Sequence, residues 1–114
     1  MTVVNFTKHV TIASDLQVAG NLFERLRGLI GARPLRSGEG LLIPRCKGIH
    51  TIGMCYSIDV IYLDQNGNVI RIFESLRPNR FASPLDFKCR SVLELPVGTI
   101  RLSGTKLDDR LLPT

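Results

Sequence analysis

Tryptophan is missing from this chain of 114 residues, aromatics make up 6% of it, and lysine occurs only four times. Scarce aromatics leave little surface on which bases could stack, and sequence-tolerant single-strand binding combines stacking with charge. The spacings of helix-turn-helix and zinc-finger modules are also missing, so sequence-specific recognition of nucleic acid is not expected. Cysteine is limited to Cys46, Cys55 and Cys89, an odd number that speaks for reduced thiols rather than a disulfide framework. No apolar run approaches the roughly 20 residues of a membrane span. The segment Met1–Phe6 has neither the basic flank nor the long apolar stretch of a secretory signal. The expectation is a soluble, cytoplasmic protein with no membrane span.

What is present argues for a folded core. Hydrophobic residues make up 44% of the chain and the mean hydropathy is +0.12, which disfavours disorder. The length fits one domain over residues 1–114, with a core able to bury about two-thirds of the surface the unfolded chain exposes. Formal net charge is +5, and most of the basic residues are arginines, whose planar guanidinium makes two-pronged contacts with carboxylates and phosphates. Between Arg25 and Lys47 six basic residues accompany the single acid Glu39, so this stretch carries an excess equal to that of the whole chain. Such a cluster suits an anionic ligand or an acidic partner, or is simply a solvated basic face.

Along the chain, Thr2 to Ala13 is rich in Val, Thr, Ile and Phe and reads as one or two short strands. Asn21 and Glu24 form a capping-box arrangement, and Leu22, Phe23, Leu26, Leu29 and Ile30 follow a helical period, which predicts one short helix near residues 21–30. Leu41 to Ile43 reads as a strand closed by Pro44, and Ile49 to Met54 as a weaker one. Ile58 to Leu63 is the strongest strand signal, followed by Asp64-Gln65-Asn66-Gly67 and a partner run from Val69 to Phe73. Loop residues fill Arg77 to Asp86, Ser91 to Leu95 is a strand, residues 98–103 suit a short helical turn, and Leu111-Leu112 a last strand.

The hairpin permits a sharper expectation. A two-residue loop on Asn66-Gly67 would set Tyr62 opposite Arg71 and Asp59 opposite Glu74, pairing like charges. A type I turn starting at Asp64, with Gly67 as a left-handed bulge residue, avoids this. It places Leu63 opposite Val69, Ile61 opposite Arg71 and Asp59 opposite Phe73. One face is then Ile58, Val60, Tyr62, Ile70 and Ile72, and Asp59 lies diagonal to Arg71, within reach of a salt bridge.

Four segments in order carry a resemblance. They are Arg27-Gly28-Leu29-Ile30-Gly31-Ala32-Arg33, then Cys46 to Met54, then Ile58-Asp59-Val60-Ile61-Tyr62-Leu63-Asp64, then Val92-Leu93-Glu94-Leu95-Pro96-Val97-Gly98-Thr99. The chain resembles the domain-of-unknown-function 192 family of small bacterial and archaeal proteins over roughly residues 15 to 112. The resemblance implies a compact, mainly-β single domain with minor helix. It brings no agreed catalytic residues and no established substrate. Gly53 departs from the pattern, standing where an aromatic commonly precedes the methionine.

Among polar residues embedded in apolar sequence, His50 and Asp59 stand out. On one strand face His50, Ile52 and Met54 would line a common surface, with His50 as proton donor or anion ligand oriented by Asp59 or Thr51. Alternatively Asp59 pairs with an arginine or with turn amides, and His50 is a structural hydrogen bonder. Cys46-x3-His50, with Cys55 and Cys89, lacks the paired spacings of a zinc site, and His9 is remote, so no metal and no cofactor is expected. Basic neighbours would favour thiolate at Cys46 and Cys89. Gly28-x-x-Gly31 and Gly38-x-Gly40 lack the context of a phosphate loop.

Taken together, these features predict a mainly-β fold, a compact antiparallel sandwich or barrel with the short helix near 21–30 and the helical turn near 98–103. The function expected is non-enzymatic: a binding or accessory domain whose arginine-rich surface holds an anionic small molecule or an acidic protein partner. Its ligand-binding candidates are Arg27, Arg33, Arg45, His50, Met54 and Arg77, with Arg80 nearby. One alternative is a small enzyme with His50 and Asp59 as catalytic candidates in a cleft. Another is a structural subunit docking on a larger assembly through a sheet edge.

Overall fold

In the computed structural model, residues 1–19, 33–45 and 55–114 and the backbone of 49–50 are described. The helix expected near 21–30 lies outside the described residues. The chain is mainly β. In sequence order the strands are β1 (Val3–Asn5), β2 (Val10–Ala13), β3 (Asp15–Val18), β4 (Glu39–Pro44), β5 (Ile49–His50), β6 (Ile58–Asp64), β7 (Val69–Leu76), β8 (Phe81–Ala82) and β9 (Cys89–Leu95). The short helix α1 (Thr99–Ser103) and strand β10 (Leu111–Pro113) complete it.

Three sheets form among the described residues: a five-stranded sheet ordered β3-β4-β9-β6-β7, a three-stranded one ordered β10-β1-β2, and the pair β5-β8. The five-stranded sheet is antiparallel except at its edge, where β3 runs parallel to β4. No strand was expected at β3. Its sequence Asp-Leu-Gln-Val buries only Leu16 and gives almost no alternation to read; the strand exists because β4 offers it an edge.

Strands β6 and β9 lie inside the five-stranded sheet; β6 from Ile58 to Leu63 and β9 from Val92 to Leu95 are buried on both faces, which is why apolar residues dominate both stretches. Toward the three-stranded sheet, Ile61, Leu63, Leu93 and Leu95 meet Val3, Ile12, Leu111 and Ile100 in one core. On the opposite face Ile58, Val60, Tyr62, Val92 and Ile43 form a second cluster. Each such side chain contributes about 1.5–3 kcal/mol by leaving water, and the bulk of the fold energy therefore sits on these two strands.

The β6–β7 hairpin begins as expected and then departs. Gly67 adopts a φ of 82°, its amide donates to the Asp64 carbonyl, and the Asp64 carboxylate accepts the amides of Asn66 and Asn68. A Cβ at Gly67 would run into the Leu111 carbonyl oxygen, so both turn conformation and tight packing require glycine there. Leu63 opposes Val69, but a bulge at Tyr62/Leu63 then sets Tyr62 opposite Arg71 and Val60 opposite Phe73. This corrects the register expected beyond the turn. The slip turns Ile72 to the core that holds Ile61, while Ile70 stays beside the Tyr62 cluster. A second irregularity between Ile58 and Val60 leaves Asp59 out of the cross-strand pairing that made it appear to confront Glu74.

Candidate functional site

Asp59 is fully buried, and its carboxylate is filled by backbone. One oxygen accepts the Ser75 amide at 2.9 Å; the other accepts the amides of Gly98 and Ile100 at 3.1 and 3.0 Å. Helix α1 has no side-chain cap of its own and no acid in its first turn. Asp59 therefore caps it from a distant strand, satisfying orphan amides with a charged acceptor. Gly98, at a φ of 96°, turns its N–H toward that carboxylate. The expected contact between Asp59 and Arg71 does not form; the Arg71 guanidinium packs over the Phe73 ring, 4.9 Å from its centre. A carboxylate holding three amides is a clamp, with most of its acceptor capacity spent on backbone.

The other sequence candidates are distributed. Arg27 and Met54 lie outside the described residues, as does the side chain of His50, whose backbone pairs with Phe81. Arg33 is exposed and engages Glu39 through two bonds of 2.8 Å. The Arg33 guanidinium first, and then the Arg36 amide, hold the Glu39 carboxyl at about 2. The single acid of the basic stretch thus commits one of its arginines. Arg45 is exposed at a left-handed φ of 56°, and its amide donates to the Arg90 carbonyl at 2.6 Å. Arg77 is exposed at the start of the segment leading to β8.

That segment, residues 77–90, has an inverted pattern. It turns the small residues Ala82 and Pro84 inward and the large ones outward: Phe81, Leu85 and Phe87 are 77%, 82% and 80% exposed. The buried Tyr62 hydroxyl donates to the Ala82 carbonyl at 2.7 Å and pins the segment to the sheet. The Arg90 guanidinium donates to the carbonyls of Phe87 and Cys89, and the Leu85 amide to the Ser83 hydroxyl. Leu85 is held at a φ of 52°, where an L side chain costs about 1–2 kcal/mol. Along this segment four cations, Arg77, Arg80, Lys88 and Arg90, alternate with the exposed apolar residues against the single acid Asp86, and the backbone of Arg45 is bonded to that of Arg90.

Glu94 is the polar residue that sequence reasoning passed over. It sits mid-way along β9, between Leu41 of β4 and Val60 of β6 in register, and is 3% exposed. Its Oε2 has no hydrogen-bond partner among the described residues. Burial pushes its carboxyl up to about 7. Tyr56 packs against the cluster of Val60 and Val92, and its hydroxyl donates to the Arg33 carbonyl; burial first, and then the Glu94 charge, raise that hydroxyl. In sequence Val-Leu-Glu-Leu reads as a strand with one wet face. Only the burial of both faces of β9 turns its acid into an anomaly.

Of the thiols, Cys89 is fully buried in the second cluster, Cys55 is exposed, and Cys46 lies outside the described residues. Among the described residues no group of three His, Cys, Asp or Glu side chains could hold a metal ion. No described helix is long and apolar enough to cross a membrane.

Comparison with known proteins agrees with this architecture. A crystal structure of a protein of unknown function from Novosphingobium aromaticivorans superposes with a TM-score of 0.82 at 18% identity, covering 98% of this chain and 82% of the other. A crystal structure from Sinorhizobium meliloti, provisionally described as a transcription regulator, gives 0.80 at 19% identity, covering 97% and 89%. At these identities the likeness is one of fold. A UPF0127 protein of Thermococcus sibiricus is 29% identical over 112 residues, 95% of this chain and 71% of its own length. The DUF192 family, described as "Uncharacterized ACR", matches residues 3–112, so on nearly its whole length the chain belongs to that family.

Proposed function

We propose that this protein is a binding domain without chemistry of its own, which seats an acidic protein segment on the 77–90 loop and the adjoining Arg45. The observation that carries this reading is the inverted loop. A solvated loop would bury its large apolar residues and expose its small ones, whereas Phe81, Leu85 and Phe87 point outward while Ala82 and Pro84 point in. Clustered apolar exposure with a polar rim marks an interaction surface. The rim here is cationic, so an acidic partner is favoured by charge, and the aromatic anchors would supply most of the affinity.

The arginines of the 25–47 stretch are secondary in this reading, since Arg33 is already satisfied by Glu39. The enzymatic alternative built on His50 and Asp59 draws less support, because Asp59 already accepts three backbone amides. The test is selection of displayed random peptides against the whole protein, followed by titration of the winners at low and high salt. Enrichment of peptides combining Asp or Glu with large apolar residues, weakened by salt and by Phe87→Ser, is the expected result. Peptides without acidic bias, or binding indifferent to Phe87→Ser, would overturn it. Preferential binding of a single-stranded oligonucleotide over every selected peptide would overturn it as well.

A further inference from the structure

At one end of the core that the two larger sheets share, an apolar pocket of about 130 Å³ opens between them. Leu16 of β3, Leu42 of β4 and Leu63 of β6 line it from the five-stranded sheet, and Val3 of β1 with Leu112 and Pro113 of β10 from the three-stranded one. Of these, Leu42 and Leu112 are half-buried and Pro113 is exposed, so apolar surface remains accessible to a molecule entering from solvent. A further wall is the turn at 64–67. That turn is held by the Asn66 and Asn68 amides on the Asp64 carboxylate and by the Leu111 amide on the Gly67 carbonyl. Having no side chain, Gly67 lets the turn close against Leu111 and Leu112. A ligand therefore finds walls already ordered by folding.

The polar groups define what the pocket takes. Ser91 lines it and lies on the same face of β9 as Leu93, with Leu63 opposite in register. The inward positions of this strand thus read Ser, Leu, Leu at 91, 93 and 95, a serine where the pattern calls for a third apolar side chain. Half-buried Ser91 has a hydroxyl that makes no hydrogen bond among the described residues. A lone hydroxyl in an apolar pocket is the kind of group that orients a ligand. Asp64 stands beside it on the pocket wall. Burial pushes its carboxyl up, but the Asn68 and Asn66 bonds outweigh this and keep it ionised at neutral pH, which disfavours an anionic ligand. Size sets the rest: an apolar cavity of about 150 Å³ holds benzene, so this pocket has room for about five or six carbons.

We propose that this pocket is a binding site for a small neutral alcohol, with a hydrocarbon group of about five carbons between the sheets and its hydroxyl on Ser91. A long lipid tail would outrun the space. The pocket shares no residue with the 77–90 loop, so the two readings stand or fall separately.

The test is an NMR titration of the full chain with the n-alkanols from propanol to octanol, with pentanoate as the anionic control. Affinity should rise about fourfold with each added methylene up to pentanol and level off beyond it. Pentanoate should bind at least tenfold more weakly than pentanol. In the wild-type protein, nuclear Overhauser effects from the pentanol methyl should reach the methyl groups of Leu42, Leu63 and Leu112, a readout that needs no variant to fold. Ser91→Leu, which fills the pocket, should abolish saturable binding, whereas Phe87→Ser should leave it unchanged. No saturable binding by pentanol, equal binding by pentanoate, contacts confined to other side chains, or undiminished binding in Ser91→Leu would each overturn the proposal. Affinity that keeps climbing through octanol would overturn it in favour of a lipid tail, and a dimer with these methyl groups at its interface would do so in favour of a second copy.

Discussion

Two carboxylates lie one register step apart on adjacent strands and have opposite fates. Asp59 of β6 stands across from Leu95, and Val60, the next residue, stands across from Glu94 of β9. Both acids are almost completely withdrawn from water. Asp59 meets the start of α1 and a bulge in β7, where loose backbone amides are waiting, and it ties three of them. Glu94 faces the cluster of Val60, Tyr62 and Val92, where the sheet has already used its backbone donors. Burial by itself therefore says little about a buried acid. What matters is whether unpaired donors lie on the same side of the sheet.

The comparison can be broken most forcefully at the clamp. Asp59→Ala removes a charged acceptor from three amides and leaves the start of α1 uncapped; it should cost about 3–5 kcal/mol, read by urea denaturation. A loss near zero would mean that water replaces the carboxylate and that the clamp is not structural.

Glu94 should behave in the opposite sense. Its carboxyl is raised from an ordinary 4.5 to about 7, so the folded protein holds this proton more tightly than the unfolded chain does. Its contribution to stability is complete below about pH 4.5 and lost as the pH rises through about 7. Relative to Glu94→Gln, wild-type stability should fall by about 3 kcal/mol between pH 4 and pH 8. Parallel curves for the two proteins would show that Glu94 ionises without penalty. Asp109 is the intermediate case. Burial pushes its carboxyl up, but the Asn5 amide and the Lys8 ammonium outweigh this and hold it below the usual range. Asp109→Asn should cost about 1–2 kcal/mol at neutral pH, and the difference should shrink as acid protonates the wild-type carboxyl, a sign opposite to that of Glu94. The smallest effect belongs to the loop: Phe87→Ser should change stability by less than about 0.5 kcal/mol while lowering affinity for acidic peptides. A large stability loss would place Phe87 in the fold rather than on a docking face.

Much of this was legible in the chain. The β-branched run from Ile58 to Leu63, the Asp64-Gln65-Asn66-Gly67 turn and the short helix after Gly98 appear where their local chemistry puts them. Local chemistry stops at the turn, however. It could not foresee the bulge at Tyr62/Leu63, because that slip is set by how Ile61 and Ile72 share one core with Ile100 and Leu111. The loop after Arg77 was readable as a loop, but the inward placing of Ala82 and Pro84 depends on Tyr62, a residue twenty positions away that bonds the Ala82 carbonyl.

The sequence by itself determined that this chain would fold as a mainly-β protein, since period-two apolar patterns and turn residues act over a few neighbours. It also determined the excess of positive charge, which is a property of composition. Only the tertiary structure decided which acid would be satisfied and which left open. Asp59 and Glu94 are each an acid flanked by apolar residues within a strand, and the strand pattern treats them alike. Their difference arises from which backbone donors the packed sheets bring within 3 Å or so of a carboxylate, a distance that no local pattern encodes.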